Sequence, residues 1–166
     1  MSLLSNEDSR NLFEFEKKNK DYFEKMVPPR PDSYFEFESF NTILEGLLKE
    51  QAENKSLFYL IKNEAGNIVG RMNLVDIDWH LKSGEAGYRI GEHSAGKGAA
   101  CKALNLMVEE AKLLGIKEIK ARTTLNNIAS QRVLEKCHFH KLFVDANKFI
   151  HYKLNLKENF SKKSSI

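Results

Sequence analysis

A glycine-rich turn directly in front of a long amphipathic helix most constrains how this chain can fold. The turn is Ser94-Ala95-Gly96-Lys97-Gly98-Ala99-Ala100, and Gly115 ends the helix that follows. One face of that helix is apolar and carries Ala100, Ala103, Leu104, Met107, Ala111 and Leu114. The first amides of such a helix are open to an anion, and glycine lets the backbone approach a phosphate closely. Such turns are also common as purely structural features, so the segment alone leaves both interpretations open.

Two better-known phosphate motifs do not fit this turn. The P-loop requires a lysine after its second glycine, whereas Ala99 follows Gly98. The dinucleotide fingerprint requires a third glycine where Cys101 stands, and it requires a parallel strand-helix-strand unit. The strands that precede this turn instead have the pattern of an antiparallel meander.

Strand-like segments on both sides of the helix predict a mixed sheet. Before the turn, strands are predicted at residues 56–62, 68–77 and 85–91, with a hairpin turn at Asn63 to Asn67. After the helix, the pattern predicts a strand at 116–123, a short helix at 126–136, and strands at 139–144 and 149–156. The fold class is therefore α+β, with a twisted, mostly antiparallel sheet of about six or seven strands and helices on both faces.

Two helices are predicted ahead of this sheet. Apolar residues recur at helical spacing from Leu12 to Met26. The segment Val27 to Pro31 must end that helix, because proline lacks an amide donor and restricts the residue before it. Asp32 or Ser33 can cap a second helix, which ends near Asn54.

Length and composition indicate one globular domain. The chain has 166 residues, of which 42% are hydrophobic and 30% charged, with a formal net charge of +3. We expect a single domain over residues 1–156 and a disordered tail over residues 157–166. The net charge is too small to suggest nucleic-acid binding, and no apolar run approaches the ~20 residues that span a bilayer. We expect a cytoplasmic protein without a signal peptide, in which Cys101 and Cys137 are free thiols.

The five histidines do not predict a metal site. His138 and His140 alternate beside Cys137, but no second pair of ligands follows at the spacing that zinc sites use.

Three segments of the sequence resemble the GNAT superfamily of N-acetyltransferases. The turn matches the second half of the family signature Gln/Arg-x-x-Gly-x-Gly/Ala at Gly98 and Ala100. The segment Gly87 to Glu92 is similar to the family's fourth strand. The most specific match is Asn127 to Lys136, which resembles the N-x-A-S-x-R-(V/L)-L-E-K segment of the ribosomal-protein N-terminal acetyltransferase branch.

This resemblance extends from about Leu57 to Leu156 and implies both a fold and an activity. It implies the GNAT fold, and transfer of an acetyl group from acetyl-CoA, as co-substrate, to a primary amine without a metal. By analogy alone, that amine is the N-terminus of a ribosomal protein or of another protein; a small-molecule amine stays open. Monomer and homodimer are both compatible with the family.

The chain departs from the family pattern at three places. Ala95 replaces the Gln or Arg at the head of the signature, which implies weaker cofactor affinity. His138 replaces the usual glycine before Phe139, and only Met1 to Leu4 is available for a first strand, which must be short or missing. These departures leave an alternative: a non-catalytic module that keeps the GNAT fold to bind acyl-CoA or a protein partner.

The resemblance also implies roles for individual residues. The backbone of Arg89 and Ile90, in a strand that a bulge splays from its neighbour, pairs with the pantetheine arm and stabilises the acetyl oxygen. The turn residues Gly96 to Ala100 bind the pyrophosphate, and Lys97 adds a cation. Asn127 either caps the short helix or hydrogen-bonds the cofactor. Ser130, three residues later on the same helix face, is either a solvated serine or the donor that protonates the leaving thiolate.

The candidate base is Glu85, at the start of the fourth strand. Its alternative interpretation is a surface carboxylate on that strand, and Asp76, Asp78 and Glu92 are weaker candidates. An α-amine lowers the need for a base, because its pKa of about 7.7–8.0 lies well below the value of about 10.4 for lysine.

Overall fold

The computed structural model describes residues 1–156, so the expected disorder of residues 157–166 lies outside the described residues. The helices are α1 (Ser9–Lys18), α2 (Lys20–Glu24), α3 (Phe37–Ala52), α4 (Ala99–Leu113) and α5 (Ile128–Lys136). The strands are β1 (Ser2–Leu3), β2 (Leu57–Lys62), β3 (Ile68–Asp78), β4 (Ser83–Ile90), β5 (Glu118–Thr124), β6 (His140–Val144) and β7 (Phe149–Asn155). No helix in this part of the chain is both long and apolar enough to span a membrane.

The seven strands in residues 1–156 form one sheet in the order β1-β2-β3-β4-β5-β7-β6. Every neighbouring pair is antiparallel except β4 and β5, which run parallel. This arrangement confirms the predicted α+β fold with a mixed, mostly antiparallel sheet. The first strand has only two residues, as the short N-terminal segment predicted.

Each face of the sheet has its own hydrophobic core, because side chains alternate between the two faces along every strand. Met72 and Leu74 of β3 point to the face that α4 and α5 cover. On the opposite face, Val75 packs against the helices α1 to α3. The largest residues of that second core are aromatic: Phe13, Phe15, Phe23, Tyr34, Phe40 and Phe58.

The N-terminal helices differ from the prediction at two boundaries. The first predicted helix is broken at Asn19 into α1 and α2. The Asn19 side-chain amide donates to the Phe15 carbonyl (2.8 Å), which competes with the regular helical pattern. The second helix begins at Phe37, because Asp32–Phe35 forms a 3-10 turn and Glu36 is extended.

Strands β4 and β5 pair only at their beginnings. Ser83 to Ala86 are matched with Glu118 to Ala121, and the remaining residues of both strands have no partner in the other. The strands therefore separate as the resemblance implied. The irregularity next to β4 lies in its other neighbour, β3, between Val75 and Asp78, rather than in β4 itself.

A buried carboxylate joins helix α1 to the sheet. Glu16 is 1% exposed, and its Oε1 accepts a hydrogen bond from Arg71 Nη1 at 2.8 Å. Its Oε2 lies 3.4 Å from Nη1 of Arg89, which is directly opposite Arg71 in the β3–β4 ladder. Two guanidinium groups therefore share one carboxylate beneath α1, and both depend on it for charge compensation.

We expect Glu16→Gln to destabilise the fold by about 3 kcal/mol, because it leaves Arg71 buried without a counter-charge. Urea denaturation measures this change in the free energy of unfolding. The matched control is Glu14→Gln, an exposed glutamate on the same helix. Equal unfolding free energies for the two variants would show that the buried carboxylate contributes nothing net.

Candidate active site

A cavity of about 390 Å³ opens where β4 and β5 separate. It reaches from the glycine-rich turn and the first turns of α4 and α5 to helix α2 on the other side of the sheet. Most of the predicted cofactor-binding residues line it: Arg89, Ile90, Gly96, Gly98, Ala99, Ala100, Asn127 and Ser130. Lys97 is exposed and lies outside the lining, and so does Glu85.

The glycine-rich turn leaves the start of α4 open to an anion. Gly96 and Gly98 have φ values of 73° and 82°, a left-handed conformation that other residues adopt only with strain. Gly98 is the N-cap, and no side chain caps the helix. The first amides of α4 are therefore free to donate hydrogen bonds to a phosphate at the positive end of the helix dipole.

The charge of the lining also suits an anion. Three cationic side chains, Arg89, Arg132 and Lys136, line the cavity, and within residues 1–156 no Asp or Glu lines it. The sequence analysis did not single out Arg132 or Lys136, although their spacing of four places them on one face of α5. The uncapped helix and these cations fit a polyanionic ligand such as coenzyme A.

At the start of α5, Asn127 organises the backbone. Its Oδ1 accepts a hydrogen bond from the Ser130 amide at 3.1 Å, so Asn127 caps the helix. The side chain also lines the cavity, where its amide group can donate to a ligand. The two predicted roles of Asn127 are thus compatible, because they use different atoms of the side chain.

The hydroxyl of Ser130 has a partner that the sequence analysis did not identify. Tyr88 of β4 places its phenolic oxygen 2.9 Å from Ser130 Oγ. Both residues line the cavity. Side-chain alternation along β4 is the sequence signal that could have predicted this contact. It directs Tyr88, with Ala86 and Ile90, toward the face of the sheet that α5 covers.

The candidate base lies on the other face of β4. Glu85 forms an ion pair with Arg122 of β5, with 3.1 Å between Oε1 and Nε. Gly87 lies between Glu85 and Arg89 on this face. A β-carbon added to Gly87 would have no neighbouring atom within 4 Å, so the space above this residue is open. Opposite Gly87 is Asn73, whose buried Oδ1 has no hydrogen-bond partner within residues 1–156. Open space and an unpaired acceptor therefore lie between the cavity and Glu85.

The three weaker candidate bases have other positions. Asp78 Oδ1 accepts hydrogen bonds from the amides of His80 and Leu81, which shapes the turn after β3. Asp76 lies in the irregular part of β3, and Glu92 is exposed. None of the three lines the cavity, and no group of three or more His, Cys, Asp or Glu in the described chain is placed to hold a metal ion.

Arg89 brings positive charge to the side of the cavity that faces α2. Its guanidinium lies 5.3 Å from the centre of the Phe23 ring. Burial, and after it the neighbouring cations Arg30 and Arg71, lower the pKa of Arg89 and outweigh the effect of Glu16. Because Arg71 and Arg89 share the single carboxylate of Glu16, the positive charge here is only partly compensated.

The two cysteines are free thiols, as predicted, and they face each other between α4 and α5. Their sulfur atoms are 2.8 Å apart, and Cys101 lines the cavity. Burial, together with the neighbouring thiol, raises the pKa of Cys137 to about 12, so this thiol is protonated at neutral pH.

Comparison with known proteins identifies a family and a relative that match most of the chain. The acetyltransferase (GNAT) domain family matches residues 1–140. The probable N-acetyltransferase YjcK of Bacillus subtilis (strain 168) is 28% identical over 137 residues, which cover 81% of this chain and 76% of that protein.

Two solved structures illustrate the range of acceptors among similar folds. RimL, a ribosomal L7/L12 α-N-protein acetyltransferase in complex with coenzyme A, has a TM-score of 0.87 at 18% identity, covering 95% of this chain and 94% of that chain. Spermidine N-acetyltransferase from Vibrio cholerae, in complex with CoA and spermine, has a TM-score of 0.75 at 17% identity, covering 92% of both chains. At these identities the likeness shows the fold alone.

We expect Asn127→Ala to weaken coenzyme A binding about fivefold, because it removes a side-chain amide that can donate to the cofactor, and one hydrogen bond is worth about 1 kcal/mol. Calorimetric titration with coenzyme A measures this change. Asn126→Ala, at the exposed neighbouring position, is the control. Equal affinities for the two variants would contradict a role for Asn127 in cofactor binding.

Proposed function

The chain belongs to the GNAT acetyltransferase family and uses acetyl-CoA as co-substrate, and we propose that it acetylates the α-amine at a protein N-terminus, as ribosomal-protein acetyltransferases do. The observation that carries this proposal is the cavity itself. It connects the glycine-rich turn on one side of the sheet to helix α2 on the other side, and its charged lining residues within the described chain are all cationic. We further propose that the protein acts in the cytoplasm, in keeping with its free thiols.

We propose that the turn at Gly96 to Ala100 and the cations Arg132 and Lys136 bind the phosphates of the co-substrate. Beyond Ala86, the edge of β4 that faces β5 has no strand partner, so the backbone at Arg89 and Ile90 can pair with an extended pantetheine arm. Acetyl-CoA supplies the acetyl group as an activated thioester. A backbone amide of this edge can donate to the acetyl oxygen as that oxygen gains negative charge.

Ser130 is the proposed proton donor to the leaving thiolate. It lines the cavity at the start of α5, beside the separation of β4 and β5, and its backbone is fixed by the Asn127 cap. The Oγ–H bond breaks as the S–H bond forms, and Oγ takes a replacement proton from water. General acid assistance of this kind is typically worth ~10²-fold or more in rate.

The acceptor amine must lose a proton as the amide bond forms. Glu85 remains our candidate base, acting across the open space above Gly87, although its ion pair with Arg122 competes for the carboxylate. An α-amine lowers this demand, because a useful fraction of it is neutral near pH 7. Water can then accept the proton, and this is the second route that we propose.

The charge of the site favours a protein N-terminus over a polyamine. A polycationic acceptor is favoured by several carboxylates around it, whereas every charged lining residue within the described chain is cationic and the one carboxylate proposed to reach the acceptor is Glu85, which is paired with Arg122. An attraction or repulsion between unit charges about 4 Å apart is worth roughly 1 to 4 kcal/mol near a protein surface. This difference is large enough to select between acceptor classes.

We expect Ser130→Ala to lower turnover at least about tenfold while coenzyme A affinity stays unchanged, because only the proton donor is removed. Thiol release from acetyl-CoA measures turnover, and calorimetry measures affinity. Ser39→Ala on α3, outside the cavity lining, is the control variant. Turnover of Ser130→Ala at the wild-type rate would show that water protonates the thiolate.

We expect peptides with a free α-amine to react with a kcat/KM at least about tenfold higher than spermidine, because the lining repels a polycation. The same thiol-release assay compares N-terminal peptides, N-acetylated peptides with an internal lysine, polyamines, aminoglycosides and amino sugars. The N-acetylated lysine peptides are the control for an ε-amine. Faster acetylation of spermidine would overturn the proposed acceptor class, and binding of coenzyme A without turnover on any acceptor would support a non-catalytic module.

A further inference from the structure

Tyr88 provides a direct polar contact between β4 and α5 across the gap where β4 and β5 no longer pair. Its phenolic oxygen is 2.9 Å from Ser130 Oγ and 3.3 Å from the Ser130 carbonyl oxygen. The ring of Tyr88 packs against the core beneath α4 and α5. The position of the phenol is therefore fixed by packing on one side and by Ser130 on the other.

The number of hydrogens in this pair limits what it can do. A serine hydroxyl has one hydrogen and two lone pairs, and a phenol has one hydrogen. Burial raises the pKa of Tyr88 to about 12, despite the opposing hydrogen bond to Ser130, so the phenol keeps its hydrogen at neutral pH. If that hydrogen is donated to Ser130 Oγ, the serine hydrogen is free to point into the cavity.

We propose that Tyr88 is a positioning residue that donates a hydrogen bond to Ser130 Oγ and thereby directs the serine hydrogen toward the leaving sulfur. This inference rests on the proposed role of Ser130 as proton donor. The hydrogen bond has a second effect, because a donor at Oγ stabilises the negative charge that builds there as the serine proton leaves. Tyr88 itself keeps its proton throughout, so no further acid or base is needed.

The opposite orientation of the pair gives the opposite result. If Ser130 donates to the phenolic oxygen and Tyr88 donates to the Ser130 carbonyl, the serine hydrogen is occupied. Removing the phenol would then release that hydrogen for the sulfur, and turnover would stay the same or rise. In the proposed orientation, removing the phenol lets the serine hydroxyl rotate away from the sulfur, and turnover falls.

The test is a double-mutant cycle of Tyr88→Phe and Ser130→Ala. Phenylalanine keeps the packed ring and removes only the hydroxyl. We expect Tyr88→Phe to lower kcat about tenfold, with the KM for acetyl-CoA and the calorimetric affinity for coenzyme A changed less than twofold. The double variant should be no slower than Ser130→Ala alone, because Tyr88 acts only through Ser130. The matched control is Tyr152→Phe, which removes a hydroxyl 3.4 Å from Glu135 Oε1 in the same core and should leave kcat unchanged.

Each other outcome has a distinct meaning. Wild-type or faster turnover of Tyr88→Phe, with Ser130→Ala still slow, overturns the role of Tyr88 and leaves that of Ser130 intact. Effects that multiply in the double variant show that Tyr88 acts independently of Ser130, which also overturns the inference. Wild-type turnover of Ser130→Ala removes the proposed donor itself and with it the role of Tyr88. A KM rise in Tyr88→Phe at constant kcat overturns the inference as well, because it assigns the phenol to cofactor binding.

Discussion

The parallel pairing of β4 and β5 lasts for only four residues on each strand, and the position of the whole site depends on where it stops. Backbone groups inside a sheet are used by neighbouring strands, so a ligand can pair with β4 only where β5 has left it. Because β4 and β5 diverge, the first turn of α5 can lie beside the gap between them. The gap also forms a passage between the two faces of the sheet. The cavity at this point is thus lined by residues from both sides of the sheet.

Two contacts hold the walls of this passage in place. Glu16 of α1 engages Arg71 and Arg89 across β3 and β4, which fixes the helix on that face of the sheet. Asn19, at the break between α1 and α2, accepts a hydrogen bond from the Glu92 amide at 2.9 Å. Glu92 begins the segment that leads to the glycine-rich turn, so the Asn19 side chain joins helices α1 and α2 to that segment.

Most of the fold could be predicted from the sequence, and so could the part of the cavity lining that belongs to the glycine-rich turn and to the start of α5. Period-two alternation, the breaks at proline and the amphipathic helix α4 predicted the element order, because these signals are local. The turn at Gly96 to Ala100 and the segment from Asn127 to Ser130 also predicted residues that line the cavity. The break at Asn19 was missed. The Asn19 side chain donates to the Phe15 carbonyl and accepts from the Glu92 amide, and the second partner is 73 residues away in the chain, where local periodicity gives no signal.

By itself, the sequence determined that a glycine-rich turn begins a helix beside a mostly antiparallel sheet, since glycine conformation and hydrophobic periodicity act over a few residues. Only the tertiary structure decided which polar groups meet. It placed Tyr88 against Ser130, gathered Arg89, Arg132 and Lys136 on one cavity, and paired Glu85 with Arg122 outside that cavity. Such contacts join residues far apart in the chain, as Tyr88 and Ser130 are 42 positions apart, so conformational preferences that act over a few residues do not predict them.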